Sequence, residues 1–135
     1  MNVTYNLSEE NIKELHRLYQ KEWWTRGRSL QETKKVVAGS QINIGLLDAN
    51  NALVGYARIL TDFTFKALIF DVIVSENHRE KGLGKRIMQL IKSHEKLESV
   101  KSYELYCLPE MFAFYEGLGF STDVAGIKLM RCTNA

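Results

Sequence analysis

The sequence predicts an α/β chain: a mixed, mostly antiparallel central sheet with flanking helices, in the order β-α-α-β-β-β-α-β-α-β. Three observations carry this. Three apolar, β-prone runs, Ile42 to Leu47, Leu53 to Thr61 and Ala67 to Val74, follow one another with only turn residues between them. Apolar residues on either side of this block recur at helical spacing. After the third run comes one helical segment and then another strand-like run, which makes a single crossover into a mixed sheet.

The elements follow in order. A short strand near Val3 to Tyr5 leads to Ser8, an N-cap residue, after which Ile12, Leu15, Leu18 and Tyr19 share a helical face ending near Lys21. Ser29 with Glu32 three residues on forms a capping box for a second helix closing at Gly39. The three runs read as an antiparallel meander, and the third, almost continuously apolar, as the central strand covered on both faces. From Gly82 to His94, Leu83, Ile87, Leu90 and Ile91 form one buried stripe. A strand follows at Tyr103 to Cys107. Pro109 opens a last helix carrying Met111, Phe114, Tyr115 and Leu118 on one face, Gly119 sits at its C-terminal end, and a final strand is expected near Ile127 to Cys132.

With 135 residues, 45% hydrophobic, and no linker or repeat, the chain reads as one domain over residues 1–135. A formal charge of +2 without basic runs gives no case for nucleic-acid or membrane-surface binding. Cys107, Cys132 and the histidines lack metal-ligand spacing, so no metal is expected and the cysteines read as small packing residues. The N-terminus lacks a leader pattern, which predicts a cytoplasmic protein.

The most specific segment is Val72, Ile73, Val74, Ser75, Glu76, Asn77, His78, Arg79, Glu80, Lys81, Gly82, Leu83, Gly84, Lys85, Arg86. A buried strand feeds a glycine-bearing turn that opens a helix, whose unpaired amides and dipole suit a phosphate. Arg79, Lys81, Lys85 and Arg86 would add positive charge. The glycine spacing matches neither the GxxxxGK loop nor GxGxxG.

Arg79-x-x-Gly82-x-Gly84 after a strand ending Val-x-Val resembles the acyl-CoA signature of the GCN5-related N-acetyltransferase (GNAT) superfamily. Phe114-Tyr115-Glu116-Gly117-Leu118-Gly119-Phe120 is similar to that family's later motif, and the element order matches its fold. Trp23-Trp24, Arg28-Ser29 and the segment Leu53 to Val74 resemble a subgroup of small bacterial acetyltransferases.

The resemblance implies an acetyl-CoA-dependent N-acetyltransferase acting by direct attack of a primary amine, on a small molecule or a peptide. The backbones of Val72, Ile73 and Val74 would meet the thioester and pantetheine. Those of Arg79, Glu80, Lys81, Gly82, Leu83, Gly84 and Lys85 would hold the pyrophosphate. Tyr115 would protonate the departing thiolate. The family often places a glutamate where this chain has Leu68. Asp71, a charge inside an apolar strand, is the nearest candidate base if burial raises its pKa; the alternative is a pairing role with a backbone group or a cation. Asp62, Glu22 and Glu110 are further candidates for binding a cationic amine, and a water chain could serve as base. Trp23 and Trp24 would line the acceptor pocket, one packing in the core and one reaching the substrate. A homodimer is a further expectation from the resemblance. The rival readings are a non-catalytic acyl-CoA-binding or sensor domain and a nucleotide-binding regulatory domain.

Overall fold

The computed structural model describes residues 1–134. Five strands, β1 (Asn2–Thr4), β2 (Ile42–Leu47), β3 (Leu53–Thr61), β4 (Lys66–Val74) and β5 (Ser102–Leu105), form one sheet in sequential order. All neighbours are antiparallel except β4 and β5, which run parallel across the predicted crossover. The strand predicted as central, β4, therefore lies one in from the edge. Four helices flank the sheet: α1 (Glu9–Tyr19), α2 (Leu30–Gly39), α3 (Leu83–Lys92) and α4 (Phe112–Glu116).

Helix starts follow local chemistry. Ser8 and Ser29 each accept from the third amide of their helix, and Asn11 and Glu32 return the bond, so both ends carry full capping boxes. The α3 stripe buries Leu83, Ile87, Met88 and Ile91 against Ile44, Leu46, Ala57, Ile59 and Ile69. On the other face, Leu15 and Tyr19 of α1 pack with Leu53, Tyr56 and Ile73. Thus β4 has apolar neighbours on both faces.

Ile69 and Ile73 would share a face in a regular strand, yet they sit in different cores. The cause is a bulge. Tyr56 pairs with Ile73 and Arg58 with Phe70, so Asp71 and Val72 together face Ala57, and Asp71 takes a left-handed φ of 56°. Beyond the bulge the facing of the strand is reversed.

Two sequence expectations fail at the C-terminal end. The last helix is split into a 3₁₀ turn (Pro109–Met111) and the short α4, which leaves Met111 and Phe114 partly exposed while Tyr115 is buried. The strand expected near Ile127 to Cys132 is absent. That segment is irregular, with Ile127, Leu129 and Met130 exposed, and pairs with neither edge strand of the sheet among the described residues. Gly119 does turn the chain left-handed just past the Gly117 cap of α4, with φ of 96°, as its amide and that of Phe120 close on the Glu116 and Tyr115 carbonyls.

Candidate active site

The site grows from two consequences of the chain path. First, β5 pairs with β4 only from Lys66 to Ile69, where Ile69 faces Leu105. From Phe70 to Val74, β4 continues without a partner on that side while β3 holds the other. A wedge opens between the two parallel strands, floored by backbone that can still hydrogen-bond.

Second, the chain leaving β4 at Val74 passes through a 3₁₀ turn (Glu76–His78) into a loop with two left-handed residues, Glu80 with φ of 64° and Gly82 with φ of 75°. Gly82 caps α3 without a side-chain bond. Among the described residues, no acceptor meets the backbone amides from Arg79 to Lys85. A protein usually pairs such groups, so a row of free amides at a helix N-terminus suits an anion. Gly82 has nothing near its absent Cβ, so glycine is favoured there by φ rather than by space.

Arg79 is placed differently from the expectation that it surrounds the anion. Its Nη2 donates to Glu22 Oε1 at 2.6 Å and its Nε to the Val74 carbonyl at 3.3 Å, so the guanidinium folds back over the end of β4. Glu22 is correspondingly an ion-pair partner. Leu18, Lys21, Glu22 and Arg79 line a small cleft of about 100 Å³ with Ile73 to Glu76.

Tyr115 comes from α4. It belongs to the α3-side core, against which Val72, Val74, Leu105 and Cys107 also pack, and it lies edge-on to Phe114 and Phe120. Phe114 in turn lies 3.5 Å from where a Cβ on Gly84 would stand. The fold therefore brings the later motif against the glycine turn. Burial, with the Cys107 thiol nearby and no hydrogen bond acting on the hydroxyl among the described residues, pushes the Tyr115 pKa up to about 12. The hydroxyl holds its proton at neutral pH, as an acid must.

Asp71 corrects the sequence reading. Its Oδ2 accepts from Tyr19 Oη at 2.8 Å, Arg28 Nη1 at 2.7 Å and Arg58 Nε at 2.7 Å, while Oδ1 has only Arg28 Nη2 at 3.4 Å. Burial by itself would raise this carboxyl, but the bonds and charges of Arg28 and Arg58 outweigh burial and hold it below the usual range. The expected rise is overturned, and with it the reason to read Asp71 as a base; the pairing alternative is what the geometry shows.

The family model for the acetyltransferase (GNAT) domain matches residues 40–122. The chain belongs to the GNAT acetyltransferases. An uncharacterized N-acetyltransferase of Porphyra purpurea is 36% identical over 93% of this chain and 73% of its own. A GNAT-family protein of Xanthomonas campestris pv. campestris superposes with TM-score 0.85 at 24% identity, covering 98% of this chain and 92% of that one. An aminoglycoside 6'-N-acetyltransferase complexed with coenzyme A superposes with TM-score 0.66 at 15% identity, over 78% and 61% of the two chains.

In this GNAT chain the remaining candidates lie on other elements or at other positions of the sheet. Trp23 and Trp24 lie between α1 and α2 with 68% and 40% exposure, so neither packs in the core as one was expected to. Asp62 accepts the amides of Thr64, Phe65 and Lys66, which lower its pKa and make it a turn former in the β3–β4 connection. Glu110 sits in the 3₁₀ turn before α4. Leu68 is half-buried in β4 opposite Leu60 and Glu104. Sequence reasoning missed Tyr19, Arg28 and Arg58; the available signal was Asp71 itself, since a carboxylate in an apolar strand requires a cation.

Proposed function

We propose that the protein transfers an acetyl group from acetyl-CoA to a primary amine by direct attack. The observation that carries this reading is the continuous row of amides from Arg79 to Lys85 without acceptors, at the end of a strand whose far side is unpaired. One diphosphate would satisfy the amides, and the extended chain joined to it would add to β4 as an extra strand.

In this reading acetyl-CoA supplies the acetyl group. The Val72 amide, at the bulge, polarises the thioester carbonyl, and a donor so placed is typically worth about 3 kcal/mol. The Val74 amide meets the pantetheine. Tyr115 gives its proton to the leaving thiolate. An amine of pKa about 10.4 must first lose a proton, which costs about 4.6 kcal/mol at pH 7. Because Asp71 is saturated and acidic, that proton leaves through water.

Binding and turnover are tested separately. Acetyl-CoA, unlike ATP or NAD, is expected to raise the melting temperature, and thiol release should follow on adding an amine from a broad panel. Stabilisation without thiol release from any amine would favour the binding-module alternative. Stabilisation by ATP or NAD and not by acetyl-CoA would overturn the reading altogether.

A further inference from the structure

The group around Asp71 is unbalanced. Two guanidiniums, Arg28 and Arg58, meet one carboxylate, and the third donor, Tyr19, is neutral. The side chain of Asp71 is 4% exposed, that of Arg58 14% and that of Arg28 27%. Of the other acids, Glu32 is bonded to the Ser29 amide and meets Arg28 only through the longer-range pull of its charge, and Glu22 is paired with Arg79. Among the described residues Asp71 is the one carboxylate in contact with either guanidinium, so Arg58, the more buried of the two, shares its single acid with Arg28. Drawing a second guanidinium out of water without a second acid is costly, unless a bound anion completes the group.

The free donors are also ordered. Arg58 uses only Nε, at 2.7 Å from Asp71 Oδ2; Nη1 and Nη2 donate to nothing among the described residues and are not sealed from solvent. Its plane lies over the Phe70 ring, 5.1 Å from the centroid, and Phe70 is braced edge-on by Tyr106. The outward edge of the guanidinium is therefore a fixed two-donor fork, the geometry that matches a carboxylate. The group lies on the α1 side of β4, whereas Val72, the next residue along, packs on the α3 side. The charge thus stands across the strand from the wedge, beside the bulge.

We infer that the Arg58 fork, supported by Arg28, binds a carboxylate on the acceptor, so that the amine acetylated belongs to a molecule carrying a free carboxylate. This rests on the transferase reading above. The single excess positive charge of this group matches a monoanion better than a phosphate dianion, and it repels an acceptor whose only charge is its ammonium.

The test is thiol release at saturating acetyl-CoA with α- and ω-amino carboxylates, each paired with its primary amide, and with an aminoalkylphosphonate. The expected result is that at least one carboxylate exceeds its amide in kcat/KM by about 10-fold or more, through KM. Arg58→Lys, which keeps the charge but loses the fork and the Nε bond to Asp71, should raise KM for that carboxylate about 10-fold more than for its amide. Amides equal to or better than carboxylates, an equal KM change for both in Arg58→Lys, or preference for the phosphonate would overturn the inference. If acetyl-CoA binds and no amine turns over, the transferase reading fails. The fork is then judged by tryptophan fluorescence: saturable change with a carboxylate but not its amide supports it, and none overturns it.

Discussion

Arg79 Nη2 lies 2.6 Å from Glu22 Oε1, so the residue that opens the glycine turn is tied to the segment joining the first two helices. Both residues line the cleft at the end of β4. It links the proposed diphosphate site to the stretch that carries Trp23, Trp24 and Arg28.

Glu22→Gln is expected to cost less than about 1 kcal/mol, because Arg79 is half exposed and such pairs are screened. Freed from Glu22, Arg79 becomes available to an anion, so acetyl-CoA affinity should hold or rise. Calorimetric titration checks this, and a clear loss of affinity would show that the tether positions the turn.

Tyr115→Phe should lower kcat by roughly 10-fold to 10³-fold while acetyl-CoA affinity changes little. An unchanged kcat would end the acid assignment. Since the hydroxyl is held up to about 12, loss of activity in wild type below pH 10 would belong to another group.

The glycines of the turn separate space from backbone. Gly84→Ala places a Cβ in ordinary contact with Phe114 and should be tolerated in folding and in acetyl-CoA binding. Gly84→Val adds branches that crowd Phe114 and the amides and should weaken binding by about 10-fold or more. Gly82→Ala meets no atom, so its expected loss of roughly 1 to 2 kcal/mol comes from the left-handed φ alone. Urea unfolding and titration with acetyl-CoA measure both.

Asp71→Asn keeps an oxygen and tolerates the left-handed φ, so it removes charge with little change of shape. Two guanidiniums then lack a counter-ion, and a loss on the order of 3 kcal/mol is expected by urea unfolding. A change below about 0.5 kcal/mol would mean that the pairing carries no net stability.

Stability should form a plateau in pH with two different edges. Asp71 is depressed in the folded state, so its contribution is present above the ordinary aspartate range, near 3.9, and is lost as pH falls through the lower folded value. Tyr19, Tyr56 and Tyr115 are raised, chiefly by burial, so their contribution is complete below about 10 and is lost as pH climbs toward the folded values. Urea midpoints measured across pH should fall on both sides, and Tyr115→Phe should soften the alkaline edge.

What the sequence determined by itself is chemistry closed within a few residues. The Ser29–Glu32 box, the glycine at 119 after the last helix, and the α3 stripe each depend on neighbours three or four positions away; the first two stand where the pattern put them, and the stripe does so for Leu83, Ile87 and Ile91, with Met88 buried more fully than the expected Leu90. The motifs also sufficed to point to the family. Tertiary structure alone decided the ionisation of Asp71, because its partners Arg58 and Arg28 come from other elements and only folding brings them within 2.7 Å. It also decided the bulge that sends Ile69 and Ile73 to opposite cores, the exposure of both tryptophans, and the failure of Ile127 to Cys132 to form a strand. The reason is physical: a turn or cap is satisfied locally, whereas a ladder register or a buried charge is settled by whatever distant group the fold places opposite it.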